Sequence, residues 1–193
     1  MYDVLVNHVS IEDALFQREL DVVVSSIDLA AAEIALSSLI GRERALSKAL
    51  LQVGDRYDYI FIDTPPSLGL LTINALTASD GVIVPVQCEY LSLRGLAQLE
   101  RTLELVRENL NPKVHIAGIL PTMYDSRTVH GREAVEVLRN SFGDLVFDTV
   151  IRKTIRFAEA PVKGESVLKY APGSDAANVY RRLAREVLNG KKI

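Results

Sequence analysis

With 193 residues, 48% of them hydrophobic and 24% charged, the chain has the size and composition of one globular domain with a core. Its longest apolar runs are strand-sized, which excludes a membrane-spanning helix. Asp3 stands where a secretory leader carries positive charge, so a cytoplasmic location is expected. The single cysteine, Cys88, excludes an internal disulfide and is expected to be a small core residue.

The net charge of -3 conceals an asymmetry. From Ile151 onward ten Lys and Arg face four Asp and Glu, while the preceding residues are acidic in sum. An acidic body with a basic end can hold a polyanion without being basic as a whole. The plainer alternative is a solvated helix face followed by a charged tail.

In chain order, LDVVVSS (20–26) has the character of a strand. IDLAAAEIALSSLI follows with helical periodicity and Ser26 or Asp28 as its N-cap. YDYIFID (57–63) is the next expected strand. Ile60, Phe61 and Ile62 are apolar in succession, the pattern of a parallel strand covered on both faces. After a turn through Pro65 and Pro66 a helix begins, and GVIVPVQ (81–87) repeats the strand type. Leu96, Leu99, Leu103, Val106 and Leu110 recur at spacings of three and four, in a helix that must stop at Asn111-Pro112. VHIAGIL (114–120) is a fourth strand, REAVEVLRNSF a helix closed by Gly143, and LVFDTVI (145–151) a fifth strand. SDAANVYRRLAREVL closes the chain as an amphipathic helix burying Val179, Leu183 and Val187. This alternation predicts a single α/β domain over residues 1–193, with a doubly wound, mostly parallel sheet flanked by helices.

Ligands of such sheets sit at the carboxyl ends of the strands, and three of those ends carry chemistry. The first is Asp63-Thr64-Pro65-Pro66-Ser67. A carboxylate ending a buried strand is costly unless it meets a cation, a water on a cation or a donor. Asp63 could equally cap the next helix. The second is PTMYDSRT (121–128), whose Met123, Thr122 and Asp125 offer the apolar surface and polar groups that a purine needs. A polar loop with an Asx turn at Asp125 is the plainer alternative. The third is IRKTIRFAEAP (151–161), where Arg152, Lys153 and Arg156 precede any acid. Such a cluster suits a phosphate backbone, or is simply surface charge.

Together these blocks resemble the ParA/Soj family of chromosome- and plasmid-partitioning ATPases, relatives of MinD. The resemblance runs through SSIDLAAAEIAL, YDYIFIDTPPSLGLLTINAL, GVIVPVQCEYLSLRGL, ILPTMYDSRT, IRFAEAP and YAPGSDAANVYRRLAREV, and IDTPPSLG with PVQCEYLSLRGL makes it specific. It implies a P-loop NTPase-like fold using ATP and Mg2+, a homodimer, nonspecific DNA as a nucleoid-associated partner, and a ParB-like stimulator. By resemblance, Asp63 assists magnesium through water or orients the attacking water. Pro65, Pro66 and Ser67 lie in the switch that senses the γ-phosphate. Thr122, Met123, Asp125, Ile151 and Arg152 border the base, and Arg127 and Arg156 match positions of the family's DNA-binding arginines. Lys153, Arg181 and Arg182, from the basic carboxyl-terminal stretch, are expected to face DNA with them.

Two departures matter. Arg152 and Thr154 stand where the family carries proline and asparagine. Met1 falls where the family is already past its K-G-G-x-G-K-T-T loop, which supplies backbone donors and a lysine to the phosphates. The expectation is therefore a carboxyl-terminal portion of a ParA-like domain, inactive as an ATPase alone. The alternative is a short, non-hydrolysing binding module that regulates full-length ParA, ParB or DNA. A generic α/β enzyme is disfavoured, because His8, His115 and His130 have no nucleophile motif beside them.

Overall fold

The computed structural model describes residues 1–88 and 93–189. Residues 89–92 of the block PVQCEYLSLRGL, and the tail lysines Lys191 and Lys192, lie outside the described residues. The chain divides into two compact units. The first comprises Met1–Asp80 with Ala97–Val114, the second Gly81–Leu96 with His115–Ile193.

The elements in order are α1 (Tyr2–Val6), β1 (Leu15–Gln17), β2 (Asp21–Val23), α2 (Leu29–Ser37), α3 (Ala45–Leu50), α4 (Leu70–Ala78), β3 (Gly81–Gln87), α5 (Leu93–Asn109), β4 (His115–Thr122), α6 (Val129–Phe142), α7 (Arg156–Val162), α8 (Val167–Tyr170) and α9 (Asp175–Leu188). The fold is α/β, with a parallel β3–β4 pair and helices around it.

In the first unit, helices α1 to α4 pack around Leu5, Ala32, Leu36, Leu46 and Ala75. The buried Asn74 on α4 stitches them together. Its Nδ2 donates to Arg42 O (2.8 Å) and Leu70 O (3.0 Å), and its Oδ1 accepts from Leu46 N (3.1 Å). Glu33 of α2 presents its carboxylate to the start of α4, accepting from Leu71 N at 3.2 Å. Negative charge at a helix amino terminus is favourable there. A Cβ on Gly69 would collide with the Glu33 Oε1, so a larger residue there would push this carboxylate aside.

The second unit is built on β3 and β4, paired in parallel from Gly81↔His115 to Gln87↔Thr122 with one irregularity between Val82 and Ile83. One core gathers Val86, Leu96, Ile119, Leu138 and Val146; another gathers Leu120, Phe147, Ile151, Val179 and Val187. Gly118 is required by packing, since a Cβ there would collide with the Phe147 ring. Of the expected caps, Asp28 stands at the N-cap of α2 without a side-chain cap bond and Gly143 ends α6, while two further caps are formed by Thr128 and Ser174. Thr128 accepts from Gly131 N at the start of α6, Gly143 closes that helix at φ 52°, and Ser174 accepts from Ala177 N to start α9. Cys88 is fully buried beside Ala134 and Val135, and burial pushes its thiol pKa up, as suits an inert core residue.

Three strand expectations need correction. The 20–26 segment contributes only Asp21–Val23, and it pairs antiparallel with β1 rather than joining a parallel sheet. The 57–63 segment is not a strand: among the described residues no strand pairs with it, and Phe61 is 78% exposed. Its amino end is tied to β2 by the Tyr57 hydroxyl, which donates to Asp21 Oδ2 at 2.6 Å. The 145–151 segment follows β4 in parallel only as isolated bridges, with Phe147 N donating to Ile119 O and Ile151 N to Pro121 O, both at 2.9 Å. The reason lies in Pro121, which has no N–H to return to Phe147 O, so the ladder is broken where it would close.

Candidate nucleic-acid interface

Beyond β4 the chain makes a short zipper with the 151–153 segment. Tyr124 N donates to Ile151 O (3.1 Å) and Lys153 N to Tyr124 O (3.2 Å). Thr122, Met123 and Asp125 are thereby set beside Ile151 and Arg152. Met123 is held at φ 53°, a left-handed conformation uncommon for a residue with a side chain, and its side chain is exposed.

Asp125 organises the loop. Its Oδ1 accepts from Arg127 N and Arg127 Nε, both at 3.0 Å, and its Oδ2 from Arg127 Nη2 at 2.7 Å. The Asx turn and a two-toothed ion pair are therefore one structure. The Arg127 side-chain hydrogen bonds come first among the causes that pull the Asp125 carboxyl down to about 2. The Arg127 side chain is 88% exposed and that of Asp125 25%. Thr128 Oγ1 donates to Asp125 O (3.0 Å), so the same residue links the turn to the α6 cap.

The larger feature of the second unit is a cleft of about 1180 Å³. Arg152, Lys153 and Arg156 line it from one side, Arg181, Arg182 and Arg185 of α9 from another, and Arg139 of α6 completes it. Seven basic side chains thus meet three carboxylates, those of Asp148, Asp175 and Glu186. Glu186 is committed to structure: it accepts from Asp148 N (3.0 Å), Thr149 N (2.9 Å) and the Thr149 hydroxyl. This clamp ties α9 to the 148–149 backbone and leaves its arginines turned to the cleft. An edge-on contact between Phe157 and Tyr180, centroids 5.5 Å apart, holds α7 against α9. Arg156 and Arg181 carry internal partners. Arg156 Nη1 donates to Glu159 Oε2 (2.9 Å), and Arg181 Nη1 to Pro172 O (2.7 Å) and Asn178 Oδ1 (2.9 Å).

Of the five cations assigned to DNA, Lys153, Arg156, Arg181 and Arg182 line the cleft together, whereas Arg127 lies outside it, on the 125–128 turn. The sequence reading missed Arg139 and Arg185. Arg185 was findable, being one helical turn beyond Arg181 on the same face. Arg139 had no signal, since only the packing of α6 brings it there.

The acidic end of the predicted site lies in the first unit. Asp63, Pro65, Pro66 and Ser67 are all exposed, so the expected buried strand-end carboxylate is not formed. Among the described residues no group of three or more His, Cys, Asp or Glu side chains could hold a metal ion. One carboxylate and no phosphate-cradling loop do not make a complete magnesium–triphosphate site. The residues present do not fit the nucleotide and its metal as a whole. No described helix is long and apolar enough to cross a membrane.

A family model described as an AAA domain matches residues 1–116. An uncharacterized protein of Mycobacterium tuberculosis is 53% identical over 193 residues, which cover 98% of this chain and 61% of that protein. The sporulation initiation inhibitor protein Soj of Bacillus subtilis is 49% identical over 190 residues, covering 97% of this chain and 75% of Soj. Among solved structures, cobyrinic acid a,c-diamide synthase from Mycobacterium smegmatis with bound ADP and magnesium is similar at a TM-score of 0.81 and 36% identity. That match covers 100% of this chain and 74% of that one. The chain spans less than two thirds of the M. tuberculosis relative.

Proposed function

The chain belongs to the ParA/Soj family, and from that membership we propose that it is the carboxyl-terminal portion of a DNA-partitioning ATPase whose basic cleft holds the phosphate backbone of DNA. The observation that carries this reading is the convergence of basic side chains from α6, the 151–156 segment and α9 on one cleft. Phosphate contacts of this kind fix position without reading sequence, and their strength comes from release of condensed counterions. Arginine outnumbers lysine six to one there, which suits two-toothed contact with phosphate oxygens. In the complete protein, the loop of Thr122, Met123 and Asp125 with Ile151 and Arg152 would border the adenine of ATP. Asp63 with Pro65, Pro66 and Ser67 would meet the γ-phosphate side and its Mg2+, given a phosphate loop from elsewhere in the polypeptide. A homodimer, nucleoid association and a ParB-like stimulator belong to the same proposal.

A second reading shares the cleft and differs in the chemistry: a binding module that regulates its full-length counterpart without hydrolysing ATP. It is favoured by the exposure of Asp63.

The test is binding of the purified chain to two fluorescein-labelled duplexes of unrelated sequence across a potassium chloride series. Equal affinity for both is expected, with the logarithm of the association constant falling as salt rises. Changing Arg182 and Arg185 together to Ala should weaken binding to both duplexes alike and lower the salt slope by about 1 for each phosphate left unneutralised. Binding that ignores salt, or survives the double change intact, overturns the reading.

A further inference from the structure

Arg127 is the one cation assigned to DNA that lies outside the cleft, and it faces solvent already paired. Both Asp125 oxygens are taken up by its guanidinium and its own backbone N–H. A guanidinium so engaged presents little net charge to a phosphate, because the carboxylate 2.7 Å away cancels it at any distance larger than the pair itself. Exposed pairs are nevertheless weak, because water and salt screen them and two side chains must be held in one geometry. The pair is therefore strong enough to mask the arginine and weak enough to be opened by a phosphate.

The setting favours opening. The arginine side chain is almost wholly in water, so it can swing away without leaving a cavity. Asp125 does not lose its other roles when it does, since Arg127 N still donates to Oδ1 and the Asp125 carbonyl still accepts from Thr128 Oγ1. Lys153 also contributes to holding the Asp125 carboxyl ionised, so the departing guanidinium leaves a residual cation in the field of that carboxylate.

We propose that Asp125 is a masking residue for the DNA contact: it competes with phosphate for Arg127, and the Asp125–Arg127 pair exchanges for an Arg127–phosphate pair when DNA binds. The proposal rests on the nucleic-acid reading above and adds a residue that lowers affinity, an acid held directly against one of the cations assigned to DNA. Its value to a protein that must let go of DNA is that the contact is made against an internal competitor, and so is easily reversed.

The experiment is a thermodynamic cycle on the whole chain with a fluorescein-labelled duplex over a potassium chloride series, comparing Asp125→Asn, Arg127→Ala and the double variant. Asparagine is chosen because its Oδ1 can keep the bond from Arg127 N, so the turn survives while the charge is removed. Asp125→Asn should bind about threefold more tightly, with a salt slope steeper by about 1. Arg127→Ala should bind about fivefold more weakly, and the double variant should match Arg127→Ala, because without the arginine there is nothing to unmask. If Arg127→Ala binds as the unchanged chain does, Arg127 touches no phosphate, and this contact and the inference fail together, leaving the cleft to be judged on Arg182 and Arg185. If Arg127→Ala weakens binding but Asp125→Asn does not tighten it, the exchange alone is overturned. A gain that persists in the double variant also overturns it, since that gain would be the general effect of removing a negative charge.

Discussion

Two apolar runs of the same pattern meet opposite ends in this molecule. HIAGIL in the second unit becomes β4, hydrogen-bonded to β3 over its whole length and flanked on its other side by the 145–152 backbone. YDYIFID in the first unit stays extended and unpaired among the described residues, with Tyr59, Ile60 and Phe61 facing out. Each carries apolar residues in succession, so apolarity alone does not distinguish them. The difference is in what lies alongside, for a strand is completed by its neighbours and not by its own apolarity. The basic cleft sits in the unit where that completion was achieved.

The sharpest way to break this contrast is a matched pair of truncations. Phe147→Ala removes a fully buried ring that packs on Gly118 and should cost about 3 to 5 kcal/mol in urea unfolding. Phe61→Ala, at a side chain 78% exposed, should change stability by no more than about 0.5 kcal/mol. Similar losses at the two positions would mean that the 57–63 run is buried after all.

Glu186→Ala comes next. It strips the acceptor from two backbone N–H groups and from the hydroxyl of the buried Thr149, and should cost about 3 kcal/mol. Glu186→Gln keeps an acceptor oxygen and should cost less. Equal stability of all three proteins would remove the clamp from the account.

A glycine pair gives a smaller effect of opposite signs. Gly143→Ala forces a side chain into φ 52° at the end of α6 and should destabilise by about 2 kcal/mol. Gly54→Ala, with open space around it and no positive φ, should be neutral or stabilising by about 0.5 kcal/mol. Thermal melts of the two variants check both signs.

The smallest effect is in acid. The Asp125 carboxyl is depressed from 3.8 to about 2 chiefly by Arg127. A depressed carboxyl adds stability that is fully present above its unfolded value and is lost as pH falls through its folded value. The Asp125 contribution should therefore fade between pH 3.8 and about 2. Carbon-detected carboxyl titration should find the low midpoint in the unchanged chain and a higher one in Arg127→Ala.

Much of the second unit was legible in the sequence. Continuous apolarity located β3 and β4, and Gly143 marked the end of α6 because capping is local chemistry. The amphipathic face of α9 followed from spacing alone. The 57–63 and 145–151 segments were misjudged because pairing is not local. In the second case the residue that breaks the ladder, Pro121, belongs to the partner strand and not to the segment itself. At the candidate site, the cluster Arg152, Lys153 and Arg156 was visible as a run. Its junction with Arg139 of α6 is a tertiary fact with no trace in either segment. The Asp125–Arg127 pair was half visible: the Asx turn is written in D-S-R, but the choice of Arg127 to face its own carboxylate is not.

The most direct measurement is amide chemical-shift mapping of the isotopically labelled chain as a short DNA duplex is added at low salt. The account predicts perturbations concentrated on residues 152–157 and on the 176–186 stretch of α9, with Arg139 and the 125–128 turn included. They should collapse as potassium chloride is raised. Shifts centred instead on Tyr59, Ile60 and Phe61, or spread evenly over the surface, would contradict the assignment of the cleft.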